Sequence, residues 1–167
     1  METIIALARS GYVVTVIYLI FIRLYLGYMP SSISVTYYKL NEKKKELGNL
    51  FALFSMSLGF LIVPAMMEFT PDPWKVICLV AIFGLIGVGV APRFLEDQRK
   101  EHYAFAALCI GGSQLWVLLI SRLWYVSLPC FVVFALIAMR DRKWMTWMEV
   151  AALLSSFISL EILFGKM

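Results

Sequence analysis

The stretch GNLFALFSMSLGFLIVPAMM, residues 48–67, runs for twenty residues without one charged side chain. A helix needs about 20 mostly apolar residues to cross the hydrocarbon of a bilayer, so this run by itself predicts a membrane span. Working outward from it, similar runs cover residues 11–29, 74–91, 103–121, 123–139 and 144–164, which makes six spans. Composition agrees: 62% of the 167 residues are hydrophobic, 16% are charged, and the mean hydropathy is +0.83. A soluble domain of this length has too little interior to bury so much apolar surface. The expected fold is all-α, a polytopic bundle forming a single transmembrane domain over residues 1–167, since no linker, low-complexity tract or repeat divides the chain.

Two boundaries are less obvious. The run from Gly11 to Met29 is too long for a signal-peptide core, and PSSIS follows it in place of a cleavage site, so it is expected to remain as the first span. The fourth and fifth spans are joined only by SRLWYVSLP, residues 121–129, which is read either as a tight hairpin at Arg122 or as a re-entrant pair.

Orientation follows from the distribution of Lys and Arg, because cytoplasmic loops carry the excess. One set of alternate loops holds ten of them, namely Lys39, Lys43, Lys44, Lys45, Arg93, Arg99, Lys100, Arg140, Arg142 and Lys143; the other set holds four, Arg9, Lys75, Arg122 and Lys166. Both termini are therefore expected outside. Trp74, Trp124, Trp144 and Trp147 fall at span ends, as an interfacial aromatic belt requires. The net charge of +4 is explained by this topology and does not call for nucleic acid as a partner. Cys78, Cys109 and Cys130 lie in separate apolar runs with no CxxC, and read as small core residues.

Lipid removes the hydrophobic drive between helices, so packing depends on small residues that let backbones approach. Gly48, Ala52, Ser55 and Gly59 form such a stripe at offsets of 4, 7 and 11, followed by Gly84, Gly87 and Ala91, by Ala104, Ala107 and Gly111, and by Ala152, Ser156 and Ser159. Two charges lie deep within spans. Arg23 and Glu149 sit at matching depths in the first and sixth spans, so these helices are expected to touch and the two residues to form a structural ion pair, against the alternative that each snorkels to its own interface. Ser113 and Gln114, deep in the fourth span, are expected to form interhelical hydrogen bonds. Glu161 and Glu68, near outward ends, are expected to be hydrated. Pro30 is expected to stop the first helix, and Asn41 to cap a helix beginning at EKKKE.

Three inward loops bring together Ser31, Ser32, Ser34, Thr36, Tyr37 and Tyr38, then Asp97 and His102, then Asp141. Hydroxyls, carboxylates and an imidazole at one interface are the materials of an acid/base site, and also of caps and interface anchors. The catalytic candidates are His102, Ser34 and Asp97.

The run PSSISVTYY after the first span, GVGVAPRF at the end of the third and HYAFAA opening the fourth resemble the pattern of Frag1-like bacterial membrane proteins. More distantly, the chain resembles the CREST superfamily of membrane hydrolases, which contains alkaline ceramidases and adiponectin receptors. The similarity covers roughly Met29 to Leu115 and implies Ser34 and His102 as its marked polar positions. Hydrolases of that superfamily use a zinc held by three histidines, whereas this chain has one His and no HxxxH. No metal or other cofactor is therefore expected. GxSxG, HExxH, P-loop and dinucleotide-binding motifs are absent from the sequence.

The functional expectation is a bacterial inner-membrane protein that binds a lipid, a small amphiphile or a partner protein at its cytoplasmic face, with membrane lipids as partners and either further copies of itself or another protein as the macromolecular options. The alternatives are a diverged lipid hydrolase using His102 with Ser34 or Asp97, and an oligomeric channel or small transporter.

Overall fold

The structure, a computed structural model, describes residues 1–94 and 99–167, with residues 93, 94, 99 and 100 described by their backbone alone. The helices in order are α1 (Glu2–Leu26), α2 (Thr36–Lys43), α3 (Asn49–Glu68), α4 (Lys75–Phe94), α5 (Arg99–Leu115), α6 (Trp124–Asp141) and α7 (Trp144–Phe164). A 3-10 turn, Asp72–Trp74, leads into α4, and a π-helical segment, Trp116–Ile120, extends α5. Among the described residues there is no strand. The fold is all-α, and six helical segments are long and apolar enough to cross a membrane. The fifth of these, α6, has 18 residues, about 27 Å, which lies near the short end of the range that crosses a bilayer. Arg122, with a φ of 56°, makes the tight turn before it.

Several boundaries differ from expectation. The first helix begins at Glu2, not near Gly11, and Arg9 lies within it. Arg9 is accommodated because its guanidinium meets a carboxylate on another helix. Gly27, not Pro30, ends α1: it takes a φ of 81°, a left-handed conformation open to glycine, and its N–H bonds to Arg23 O at 3.1 Å. Asn41 lies inside α2 and starts no helix of its own. Its Oδ1 accepts the Gly48 N–H at 2.8 Å, so it satisfies a donor at the entrance to α3 instead.

α1 packs on α3, α3 on α4, α4 on α5, and α7 on both α5 and α6. α7 also meets α1, where the Tyr12 and Phe157 rings lie 4.5 Å apart and Arg9 reaches Glu161. Five helices thus close a ring, with α6 applied to α7. α4 and α5 come closest. A Cβ on Gly84 would collide with the Cys109 backbone, and one on Gly112 would sit 3.0 Å from Ala81 N. The small-residue face of α4 is the expected one. On α5 it is not: Ala104, Ala107 and Gly111 are exposed, while Cys109 and Gly112 face α4. Neighbouring faces of a helix both carry small residues here, and spacing does not choose between them.

Candidate functional site

The connection between α1 and α2 turns inward. Ser32, Ile33, Ser34 and Thr36 are all buried, which obliges their polar groups to find partners. The N-terminal turns of α7 supply several. Thr146 Oγ1 donates to Pro30 O at 2.6 Å and Thr146 N to Ser31 O at 3.3 Å. One turn on, and so on the same face, Glu149 accepts from Ser32 Oγ at 2.7 Å and from Ile33 N at 2.6 Å, one donor on each carboxylate oxygen. Ser32 has a single hydroxyl proton, and the carboxylate takes it. The Ser32–Ser34 contact of 2.7 Å is therefore donated by Ser34. By the same reasoning Thr36 gives its proton to Ile33 O, and Tyr18 donates to Thr36 Oγ1 at 2.6 Å. The result is a directed chain, Ser34 to Ser32 to Glu149, inside the helical bundle.

Glu149 and Ser34 also line a cavity of about 110 Å³ walled by α3, α4, α5 and α7. Its lining extends along α3 from Phe51 to Met66, about 22 Å at a rise of about 1.5 Å per residue. So small a volume over such a length is a narrow slot. Leu58, Ile62, Leu85, Val88 and Leu153 make most of it apolar; the polar side chains on it are Ser34, Ser55, Ser113, Ser156 and Glu149.

The residues singled out from sequence are distributed as follows. Arg23 and Glu149 do not form the expected ion pair: the Arg23 guanidinium donates to Gly27 O, at the end of its own helix, while Glu149 is held by the loop. The glycine turn after Leu26 offers Arg23 a carbonyl close at hand, and the inward fold of the loop puts two donors on Glu149 first. α1 and α7 do touch, but the ion pair that joins them is Arg9–Glu161, with Nε to Oε1 at 3.0 Å and Nη2 to Oε2 at 2.9 Å. Ser34 lies on the slot; His102 is half-buried near Tyr103 and does not line it. Asp97 falls outside the described residues. Gln114 does bond across helices, donating to Ala152 O on α7 at 3.2 Å and accepting from Ser127 on α6 and Ser155 on α7. Ser113 bonds only locally, to Ile110 O and Gln114. Among the described residues no three of His, Cys, Asp and Glu are grouped to hold a metal ion.

Thr146 is the residue that the sequence reading missed. Its signal was the spacing to Glu149, three residues along one helix face, which pairs a hydroxyl with an intramembrane carboxylate. The slot itself was also unforeseen, because the stripe through Ser55 and Gly59 and that through Ala152 and Ser156 read as contact faces. Comparison with known protein families, with curated proteins and with solved structures finds no match to the chain.

Proposed function

We propose that the protein binds a lipid or small amphiphile in the slot between α3, α4, α5 and α7, with the ligand's polar end at Glu149 and Ser34. The observation that carries this reading is the composition of the slot, apolar along its length with a carboxylate and an adjoining hydroxyl. Ligand sites are mostly apolar with a few placed polar groups. An ionisable side chain within a span is expensive, and its usual justification is a functional one. We place the protein in a bacterial inner membrane with the α2 end of the bundle in the cytoplasm, where the ten Lys and Arg of the α1–α3, α4–α5 and α6–α7 connections gather. The polar end of the ligand then lies toward the cytoplasmic side. Hydrolysis is less well supported, since Ser34 gives its proton to Ser32, and His102 does not reach the slot.

The test is extraction and mass spectrometry of what co-purifies with the protein in mild detergent. A discrete amphiphile is expected with the native chain, reduced about tenfold by Ser156→Leu or Ser113→Leu, which fill the slot. Equal recovery from native and filled proteins of equal monodispersity would refute the reading.

A further inference from the structure

Resting on that reading, we infer that the amphiphile is a single-chain primary amine, bound as its ammonium ion against Glu149 and Ser34.

Apart from the weak S–H donor of Cys109, the polar side chains of the slot present acceptors. Ser55 has given its proton to Phe51 O at 3.0 Å, Ser113 to Ile110 O at 2.9 Å and Ser156 to Ala152 O at 2.9 Å, each within its own helix. Ser34 has given its proton to Ser32, which passes its own to Glu149. A ligand entering the slot therefore meets hydroxyl lone pairs and a carboxylate, and no hydroxyl proton. A primary ammonium, with three donors and no acceptor, complements such a lining; a carboxylate or phosphate head does not.

Charge gives the same answer by a separate route. Among the described residues Glu149 is the only charged one on the slot, and no ion pair includes it. Each of its oxygens has one donor and room for another. Within a span an uncompensated charge costs at least about 2.5 kcal/mol, and Arg23, the nearest candidate from sequence, is committed to Gly27 O. A cationic ligand is the missing counter-charge. Shape selects the rest of the molecule. The cavity is narrow for its length, drawn out along four turns of α3, so it suits one thin alkyl chain and not a two-chain lipid.

The experiment measures equilibrium binding of four twelve-carbon probes to the purified full chain in detergent: dodecylammonium, dodecyltrimethylammonium, dodecanol and dodecanoate. Dodecylammonium is expected to bind about tenfold tighter than each of the others, the trimethyl compound losing for want of N–H donors. Glu149→Gln should remove that preference, so that dodecylammonium binds no tighter than dodecanol. Because Glu149 also holds the loop, Ser34→Ala serves as a second variant, with an expected loss for dodecylammonium about threefold larger than for dodecanol. If dodecanol or dodecanoate binds as tightly as the amine, and Ser156→Leu weakens all of them, the amine assignment is overturned and amphiphile binding stands. If no probe binds the native chain better than the Ser156→Leu protein, amphiphile binding falls and the amine assignment with it.

Discussion

Gln114 Oε1 accepts the Ser127 hydroxyl at 2.8 Å, joining the two helices on either side of the Arg122 turn. The same oxygen accepts Ser155 at 3.1 Å, and the amide nitrogen reaches Ala152 O, so one side chain ties α5, α6 and α7 together. Gln114→Leu should lower stability by about 1–2 kcal/mol, since interhelical bonds in membranes average well under 1 kcal/mol each. Ser113→Ala, which removes only local bonds, should cost much less. Unfolding in mixed micelles of graded denaturing detergent compares the two.

The closest helix contact makes a sharper prediction. Gly84→Ile drives a branched side chain into the Cys109 backbone, where nothing flexible yields, and should cost at least about 3 kcal/mol or prevent folding. Gly111→Ile, on the face of α5 that has nothing within 4 Å of its added Cβ, should be neutral or slightly stabilising. Recovery of monodisperse protein by size-exclusion chromatography separates the outcomes, and an equal response at both glycines would contradict the helix rotation described here.

The buried loop depends on α7. Thr146→Val leaves Pro30 O without its hydroxyl partner, and Ser32→Ala takes one donor from Glu149; each should destabilise by about 1–3 kcal/mol. Hydrogen exchange should quicken at residues 31–36 and not at the far end of α3. Acceleration spread evenly over the bundle would mean that the loop has no separate hold.

Arg9 and Glu161 are expected to couple. Arg9→Met and Glu161→Met should each lower the melting temperature in detergent, and the double variant should fall no further than the worse single one. Full additivity would show that the two side chains act independently.

Spans were legible because lipid imposes a length and a polarity that any reader of the chain can count: residues 48–67 as read and Asn49–Glu68 as observed differ by one residue at either end. Rotation of each helix about its axis was legible on α4, where the Gly84 and Gly87 stripe does face α5, and not on α5, where Gly111 and Gly112 offer two faces. Partners of charges were the least legible. Depth alone made Arg23 and Glu149 a pair, but a hydroxyl and a backbone N–H from the loop reach the carboxylate instead, hydrogen-bonding it without neutralising its charge. Nothing local to Glu149 announces that residues 30–34 fold back to meet it. That return depends on Gly27 turning the chain, and on Thr146 and Glu149 sharing a face.

The hold on Ser32 has a temporal side. Its acceptor, Glu149, comes 117 residues later, so a ribosome feeding the chain into a membrane delivers four more long helices before that acceptor emerges. Until then the serine and the Ile33 amide must stay hydrated or find other company. Closure of the slot is thus a late act of biogenesis, and a nascent chain halted after α6 would present an open trough along α3 and α4.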